Sequence, residues 1–166
     1  IVESIAGNMG LVQPEPAFLD ALQRVPRAHG ALLIADEIIT GFRLRYGLSG
    51  MLPGADIVAM GKVIGGGLPI GAVGGSARIM NLLAPEGPVS QAGTLAGNPL
   101  VSAAGAATLG VLATGRPYER ADRLARHLEN GLRAALKRSA TTGSVVRAGS
   151  MLALFFRDAA PRDYAE

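Results

Sequence analysis

Two short, uninterrupted apolar runs constrain the fold of this 166-residue sequence more than any other feature. Residues 31–35 read ALLIA and residues 57–60 read IVAM. Runs of this length without polar alternation are typical of strands buried on both faces of a parallel sheet. A helical apolar stripe precedes the first run and consists of Phe18, Leu19, Leu22 and Val25. Alternating helices and strands predict an α/β fold with a mainly parallel sheet flanked by helices.

Ionisable residues follow both runs. Asp36 and Glu37 come directly after the first, and Lys62 follows the second in a stretch otherwise uncharged from residue 57 to 75. Carboxyl ends of parallel strands share the sheet edge where ligands bind, so one cofactor could touch both Asp36 and Lys62. Desolvation favours the neutral amine, which is the form that attacks a carbonyl. Two alternatives stay open: the lysine extends its charge into solvent, or the acidic pair caps the next helix.

The sequence lacks the residues that several other catalytic mechanisms require. Gly61-Lys62 does not fit a phosphate-binding P-loop, because Asp56 replaces the first glycine and Val63 follows the lysine. Neither His29 nor His127 has a partner at metal-ligand spacing, and no serine or cysteine elbow is present. We therefore expect neither a metal site nor a hydrolase triad.

The remaining sequence predicts further elements and two domains. Pro26 is expected to kink or end the first helix near Val25. Gly115-Arg116-Pro117 breaks the chain, which predicts a partial large domain over residues 1–115 and a partial small domain over 116–166. The other predicted elements are a strand at 68–75, a helix from Ser76 to Leu83, a loop at 84–99, a helix at 98–114, a helix at 117–138, and strands at 145–147 and 151–156.

The charge of the sequence is concentrated on one helix. Residues 116–147 carry a net charge of +5, with apolar residues predicted to cover one helix face at Ala121, Leu124, Leu128, Leu132 and Leu136. Few aromatic residues accompany the arginines, so a solvated face is expected rather than nucleic-acid binding.

Composition limits the compartment and the partners. The sequence has no cysteine, and no apolar run approaches the roughly 18 residues of a membrane helix, so a cytoplasmic protein without membrane attachment is expected. Because the sequence begins within an apparent strand, at Ile1 and without methionine, we expect it to be part of a longer protein.

Four motifs carry a resemblance to a known family. They are AGNMG at 6–10, LLIADEIITGFR at 32–43, PGADIVAMGKVIGGGLPIGAVGG at 53–75 and QAGTLAGNPL at 91–100. In this order and spacing, the sequence resembles the class III aminotransferases, which are pyridoxal phosphate-dependent enzymes of fold type I. AGNMG, GFR and the AGTLxGNP loop are most similar to the glutamate-1-semialdehyde aminomutase branch.

The resemblance implies a role for five residues. Lys62 would hold the cofactor covalently and move protons once substrate displaces it. Asp36 would pair with the protonated pyridine nitrogen, Ile38 would pack against the ring, and Asn8 would lie near the ring hydroxyl. Thr94 would reach the cofactor phosphate in the neighbouring subunit of a homodimer.

The implied reaction acts on a small molecule. It is the intramolecular conversion of glutamate 1-semialdehyde to 5-aminolevulinate, which feeds tetrapyrrole synthesis. The alternatives are a class III transaminase acting on a β-amino acid or ω-amine, and a truncated, inactive remnant. Ser4 departs from the family's proline and Ser90 from an aromatic residue near the gating loop. The family's phosphate loop and substrate-carboxylate contacts precede the matched region, so these 166 residues alone are not expected to form a complete site.

Overall fold

The computed structural model describes residues 1–163 and contains two separate sheets. The strands and helices are β1 (Val2–Glu3), α1 (Pro16–Ala28), β2 (Ile34–Asp36), β3 (Ile57–Gly61), β4 (Gly71–Gly75), α2 (Ala77–Met80), α3 (Pro99–Leu112), α4 (Arg116–Arg138), β5 (Ser144–Ala148) and β6 (Met151–Phe155). Short 3-10 helices occupy Gly7–Met9 and Lys62–Gly65.

The larger sheet has the strand order β1-β2-β3-β4. Strands β1, β2 and β3 are parallel, whereas β4 pairs antiparallel with β3. The α/β fold with a mainly parallel sheet is therefore confirmed. The reversal at β4 follows from its short connection, since a parallel crossover needs roughly a dozen residues or more.

The buried core lies between α1 and the parallel strands. It contains Leu33, Ala35 and Leu52, with Val2, Leu19, Leu22, Ala55 and Val58 packed against it. The predicted four-residue stripe of α1 is only half correct, because the Phe18 side chain is 50% exposed and Val25 is also exposed. The expectation that β3 is buried on both faces is also wrong, since residues 57–60 are half-buried. The neighbouring elements of the described chain cover this strand only in part.

Pro26 does not end α1 near Val25, and the kink that was the other predicted outcome stays a prediction. The helix continues to Ala28, and the His29 amide donates to the Val25 carbonyl at 3.2 Å. Because Pro26 lies in the last turn, its missing N–H removes a single hydrogen bond, to the Leu22 carbonyl. Gly30 then ends the helix with φ +64°.

Helices α2 and α3 differ in how well their ends were predicted. Ser76 precedes α2 without a side-chain capping bond, and the helix ends at Met80 rather than Leu83. Asn98 Oδ1 accepts hydrogen bonds from the amides of Leu100 and Val101 at 3.0 and 3.2 Å, as a residue at an N-cap does.

Helix α4 packs against the β5-β6 hairpin through a face that the apolar stripe predicted only in part, since Ala121, Leu132 and Leu136 are half-buried. Ala125 is buried, whereas Leu124 is 56% exposed and Leu128 is also exposed. Arg147 on β5 donates to Asp122 and Glu129 at 2.7 Å each, so two carboxylates of α4 turn toward the hairpin. Because these ion pairs join distant parts of the sequence, apolar periodicity along the helix could not reveal them.

Several contacts join the hairpin and α4 to the larger sheet. The Tyr118 hydroxyl donates to the Phe42 carbonyl at 2.9 Å. Burial raises the pKa of Tyr118, and Tyr46 raises it further by a smaller amount. Gln13 Nε2 donates to the Arg147 carbonyl at 3.2 Å. The division into domains at residues 115 and 116 stays a prediction, and its last three residues lie outside the described ones. Within residues 1–163, no helix is long and apolar enough to cross a membrane.

Candidate functional site

The parallel strands bring the predicted residues to one edge of the sheet. Asp36 is the last residue of β2 and pairs with Ala59 on β3. Lys62 directly follows β3, and Asn8 lies in the 3-10 helix after β1. Since carboxyl ends of parallel strands meet at one edge, Asn8, Asp36 and Lys62 share it.

Asp36 keeps one carboxylate oxygen unused. Its Oδ1 accepts a hydrogen bond from the Ile38 amide at 3.0 Å, and its carboxylate makes no other hydrogen bond within residues 1–163. The segment that follows forms turns, so Asp36 opens a turn rather than capping a helix. The half-buried carboxylate can accept a hydrogen from a ligand at the sheet edge.

Glu37 is a buried carboxylate whose role the sequence did not reveal. It is 2% exposed and accepts hydrogen bonds from the Ser4 hydroxyl at 2.8 Å and the Ser49 amide at 3.2 Å. The hydroxyls of Thr40 and Ser49 also donate to it. Its backbone continues the sheet, with the amide donating to the Ala59 carbonyl at 2.9 Å. This network fixes the residue next to Asp36.

Ile38 lies over β3 beside an open groove of about 630 Å³. A Cβ at Gly61 would stand 3.4 Å from Ile38 Cγ2 and 3.3 Å from the Ile70 carbonyl, so glycine there permits the close approach. Ala59 also lines the groove and faces the same side of the sheet as Asp36, with which it pairs. The volume falls within the range of small-molecule sites, about 300–1,000 Å³.

Lys62 is exposed, which agrees with the alternative of an amine that extends into solvent rather than with a desolvated amine. It makes no ion pair or side-chain hydrogen bond in the described part of the chain. Its backbone has φ +48°, a left-handed conformation that costs a non-glycine residue about 1–2 kcal/mol. Strain of this kind at an unpaired lysine is typical of functional positions.

Thr94 lies at the rim of the same region. It is exposed and begins a turn beside Gly93 and Leu95, both of which line the groove. Thr94 has no hydrogen bond with the residues that the structure describes. Asn8 is also exposed. The preceding Gly7 packs closely against the segment after β2, because a Cβ at Gly7 would stand 2.9 Å from Ile39 Cγ2.

Helix α3 contributes to the site in a way that sequence reasoning missed. A Cβ at Gly105 would lie 2.6 Å from the Ile64 carbonyl in the turn that begins with Lys62. An isolated glycine inside a helical pattern was the available signal, since such a residue often marks close packing.

The donor set suits an aromatic nitrogen heterocycle that carries a carbonyl group. Asp36 offers a carboxylate for a ring nitrogen, Ile38 an aliphatic surface, and Lys62 an amine for a carbonyl. No group of three or more histidine, cysteine, aspartate or glutamate side chains that could hold a metal occurs in residues 1–163.

Comparison with known proteins agrees with this chemistry. The family model described as Aminotransferase class-III matches residues 1–165. A curated glutamate-1-semialdehyde 2,1-aminomutase from Pelotomaculum thermopropionicum is 51% identical over 99% of this chain. An omega-transaminase structure from Sphaerobacter thermophilus has a TM-score of 0.82 and 37% identity, covering 92% of this chain and 35% of its own. A glutamate-1-semialdehyde-aminomutase variant from Pseudomonas aeruginosa PAO1 in complex with PMP has a TM-score of 0.81 and 34% identity, covering 97% and 38%.

These relatives are much longer than the chain. The chain spans 38% of the length of the Pelotomaculum relative. The residues described above therefore correspond to only part of such proteins.

Proposed function

The chain belongs to the class III aminotransferases, and from that premise we propose that it is part of an enzyme converting glutamate 1-semialdehyde to 5-aminolevulinate. The single observation that carries the proposal is the 51% identity over 99% of the chain to a curated glutamate-1-semialdehyde 2,1-aminomutase. The proposed cofactor is pyridoxal phosphate, and the proposed substrate is a small amino aldehyde.

Three residues would hold the cofactor ring. The free Oδ2 of Asp36 would accept a hydrogen from the ring nitrogen, and Ile38 would cover one face of the ring. Lys62 would bind the carbonyl carbon through Nζ. When bound, pyridoxal phosphate supplies an electron sink and a carrier for the amino group. Asp36 supports that chemistry, because its negative charge keeps a hydrogen on the ring nitrogen.

Lys62 would also carry the proton transfers. Its amine is exposed and unpaired within the described chain, so Nζ is free to take a proton from one carbon and return it to another. The backbone of Lys62, with φ +48°, sets the direction in which its side chain leaves the main chain. No outside amino donor would be required, since the aldehyde carbon would receive an amino group from the cofactor and the substrate's original amino group would replace it there.

The proposal extends to a homodimer with a shared site. Thr94 would donate to the cofactor phosphate of the neighbouring subunit, and Asn8 would lie near the ring hydroxyl of its own. The exposure of Thr94 in a loop beside the groove supports this assignment. A cytoplasmic location belongs to the same proposal.

The test uses the whole protein that the gene encodes, incubated with glutamate 1-semialdehyde and no amino donor. We expect 5-aminolevulinate to form in the wild type and not in Lys62→Ala. Lys137→Ala on α4, where the residue is exposed, is the matched control and should retain activity. A wild type that forms no 5-aminolevulinate under these conditions would overturn the proposal.

A transaminase acting on an ω-amine or a β-amino acid is the second candidate. The 37% identity and TM-score of 0.82 to an omega-transaminase structure favour it. Such an enzyme needs a separate amino donor and releases a keto product, so the donor requirement separates the two activities. A third outcome, with neither product and no visible absorbance band on adding pyridoxal phosphate, would identify an inactive remnant.

A further inference from the structure

We propose that helix α3 is the positioning element for Lys62, acting through Gly105 and Thr108. This inference rests on the proposed role of Lys62 as the cofactor lysine. Neither residue touches the groove beside Ile38, and both lie more than 40 positions beyond the lysine in the sequence. Their effect would pass through the 3-10 turn Lys62–Gly65 and the glycines that follow it.

Backbone meets backbone where α3 crosses this turn. A Cβ added to buried Gly105 would stand 2.6 Å from the Ile64 carbonyl oxygen, closer than real Cβ atoms approach. A carbonyl in a tight turn cannot rotate away as a side chain can. Alanine at this position would therefore push the turn away from the helix.

Gly66 makes the reciprocal contact. A Cβ there would collide with Thr108 Oγ1 and stand 3.1 Å from the Ala104 carbonyl. Gly66 also has φ +61°, which favours glycine independently of space. Each side of the contact thus contributes one glycine: Gly105 on the helix faces a carbonyl of the turn, and Gly66 in the turn faces Thr108 on the helix.

Besides α3, the turn is held where it continues β3 and where Gly65 lies against Ile70, whose Cγ2 would stand 2.8 Å from a Cβ at Gly65. The Lys62 side chain makes no hydrogen bond in the described chain. Amides of Gly66 and Leu68 donate to Val63 and Gly65 carbonyls at 3.1 Å each, so these bonds are internal to the turn. They set its shape, whereas its location depends on β3, on Ile70 and on the close backbone contact with α3. A displacement of about 1 Å at a reacting group can lower a rate about a hundredfold.

Glycine in a helix interior is disfavoured relative to alanine, so Gly105 and Gly110 both weaken α3 intrinsically. Only Gly105 has a steric reason to be glycine, because a Cβ at Gly110 would meet nothing within 4 Å. The pair lies on one helix and therefore provides a matched comparison: Gly105→Ala displaces the turn, and Gly110→Ala does not.

The first experiment compares Gly105→Ala and Gly110→Ala in the whole encoded protein, without cofactor. Hydrogen exchange of the amides at 63–68 reports how often the turn opens, and opening becomes more frequent when its packing against α3 is disturbed. We expect exchange to be at least about tenfold faster in Gly105→Ala and nearly unchanged in Gly110→Ala. Equal exchange in both variants would overturn the proposal.

The second experiment adds pyridoxal phosphate to the same proteins and measures the visible band that Lys62→Ala abolishes. We expect Gly105→Ala to need at least about tenfold more cofactor to reach half of the band, at equal helix content by circular dichroism. If the wild type shows no band that depends on Lys62, the proposed function is wrong. The hydrogen-exchange comparison would still test whether α3 positions the turn.

A rescue keeps the proposal testable if Gly105→Ala does not fold. Gly66→Ala should weaken the band, and adding Thr108→Ala should restore it in part by removing the colliding oxygen. Backbone strain at Gly66 remains in both variants, so the difference between them measures contact with α3 alone. A double variant no better than Gly66→Ala would overturn the proposal.

Discussion

The Ser4 hydroxyl donates a 2.8 Å hydrogen bond to Glu37 Oε1, and both residues are buried, with exposures of 0% and 2%. The bond joins the end of β1 to the residue that follows Asp36. A buried carboxylate needs such donors, because each missing one leaves charge without compensation.

Ser4→Ala is expected to lower the free energy of unfolding by about 1–3 kcal/mol, since it leaves a buried carboxylate with one donor fewer. Denaturant unfolding of the encoded protein measures the change. Ser90→Ala is the control, because Ser90 is exposed and makes no hydrogen bond within residues 1–163, and it should change stability by less than about 0.5 kcal/mol. Equal values for the two variants would show that Glu37 does not depend on Ser4.

Gly10→Ala is expected to loosen the contact between the AGNMG loop and β6. A Cβ at Gly10 would stand 2.5 Å from Phe155 Cζ, and Gly10 has φ +91°. Gly47 has φ +97° and open space around it, so Gly47→Ala measures the backbone strain alone. We expect Gly10→Ala to cost about 1–3 kcal/mol more than Gly47→Ala in denaturant unfolding.

A second variant checks the cause of that difference. Phe155→Leu combined with Gly10→Ala should show favourable coupling in a double-mutant cycle, because the smaller side chain makes room for the methyl group. Strictly additive effects would mean that the cost of Gly10→Ala arises elsewhere.

Glu129 predicts a pH-dependent contribution to stability. Hydrogen bonds from Arg133 and then Arg147 lower the pKa of Glu129 below its ordinary value of 4.5. A carboxylate with a lowered folded-state pKa stabilises the fold above its unfolded value and loses this contribution as pH falls through the folded one. The stability difference between wild type and Glu129→Gln should therefore be largest at neutral pH and shrink below 4.5.

The measurement is the midpoint of thermal unfolding across that pH range. Glu86→Gln provides the comparison, since Glu86 is exposed and has no hydrogen bond within residues 1–163. A pH-independent difference for Glu129→Gln would show that the two arginines do not act through its charge.

The sequence predicted which residues lie at the sheet edge that forms the site, because each step of that prediction uses residues close together in the chain. An apolar run makes a strand, the residue after it reaches the edge, and parallel pairing follows from a connection long enough to cross over, here residues 37–56. Asp36 and Lys62 were found in this way, and the register of Asp36 with Ala59 agrees with it. A strand was predicted at 68–75 and β4 occupies Gly71–Gly75, although its antiparallel direction depends on the length of its connection to β3.

The remaining features depend on contacts between distant residues. Glu37 is buried because Ser4 and Ser49 supply hydrogens, and nothing beside Glu37 in the sequence indicates this. Asp122 turns toward the hairpin because Arg147 lies there. The exposure of Lys62 depends on which elements pack over β3. The apolar run that forms β3 does not show which elements those are.

Asp36→Asn separates the charge of this residue from its shape. Asparagine Oδ1 can accept the hydrogen bond from the Ile38 amide as Asp36 does, so the turn after β2 should persist. Loss of a charged partner for the ring nitrogen should lower 5-aminolevulinate formation about ten- to a hundredfold at saturating pyridoxal phosphate, the equivalent of a hydrogen bond to a charged group. Asp20→Asn on the exposed face of α1 should leave the rate unchanged. A full rate in Asp36→Asn with unchanged unfolding would mean that another group meets the ring nitrogen, because the turn geometry would be intact and only the charge removed.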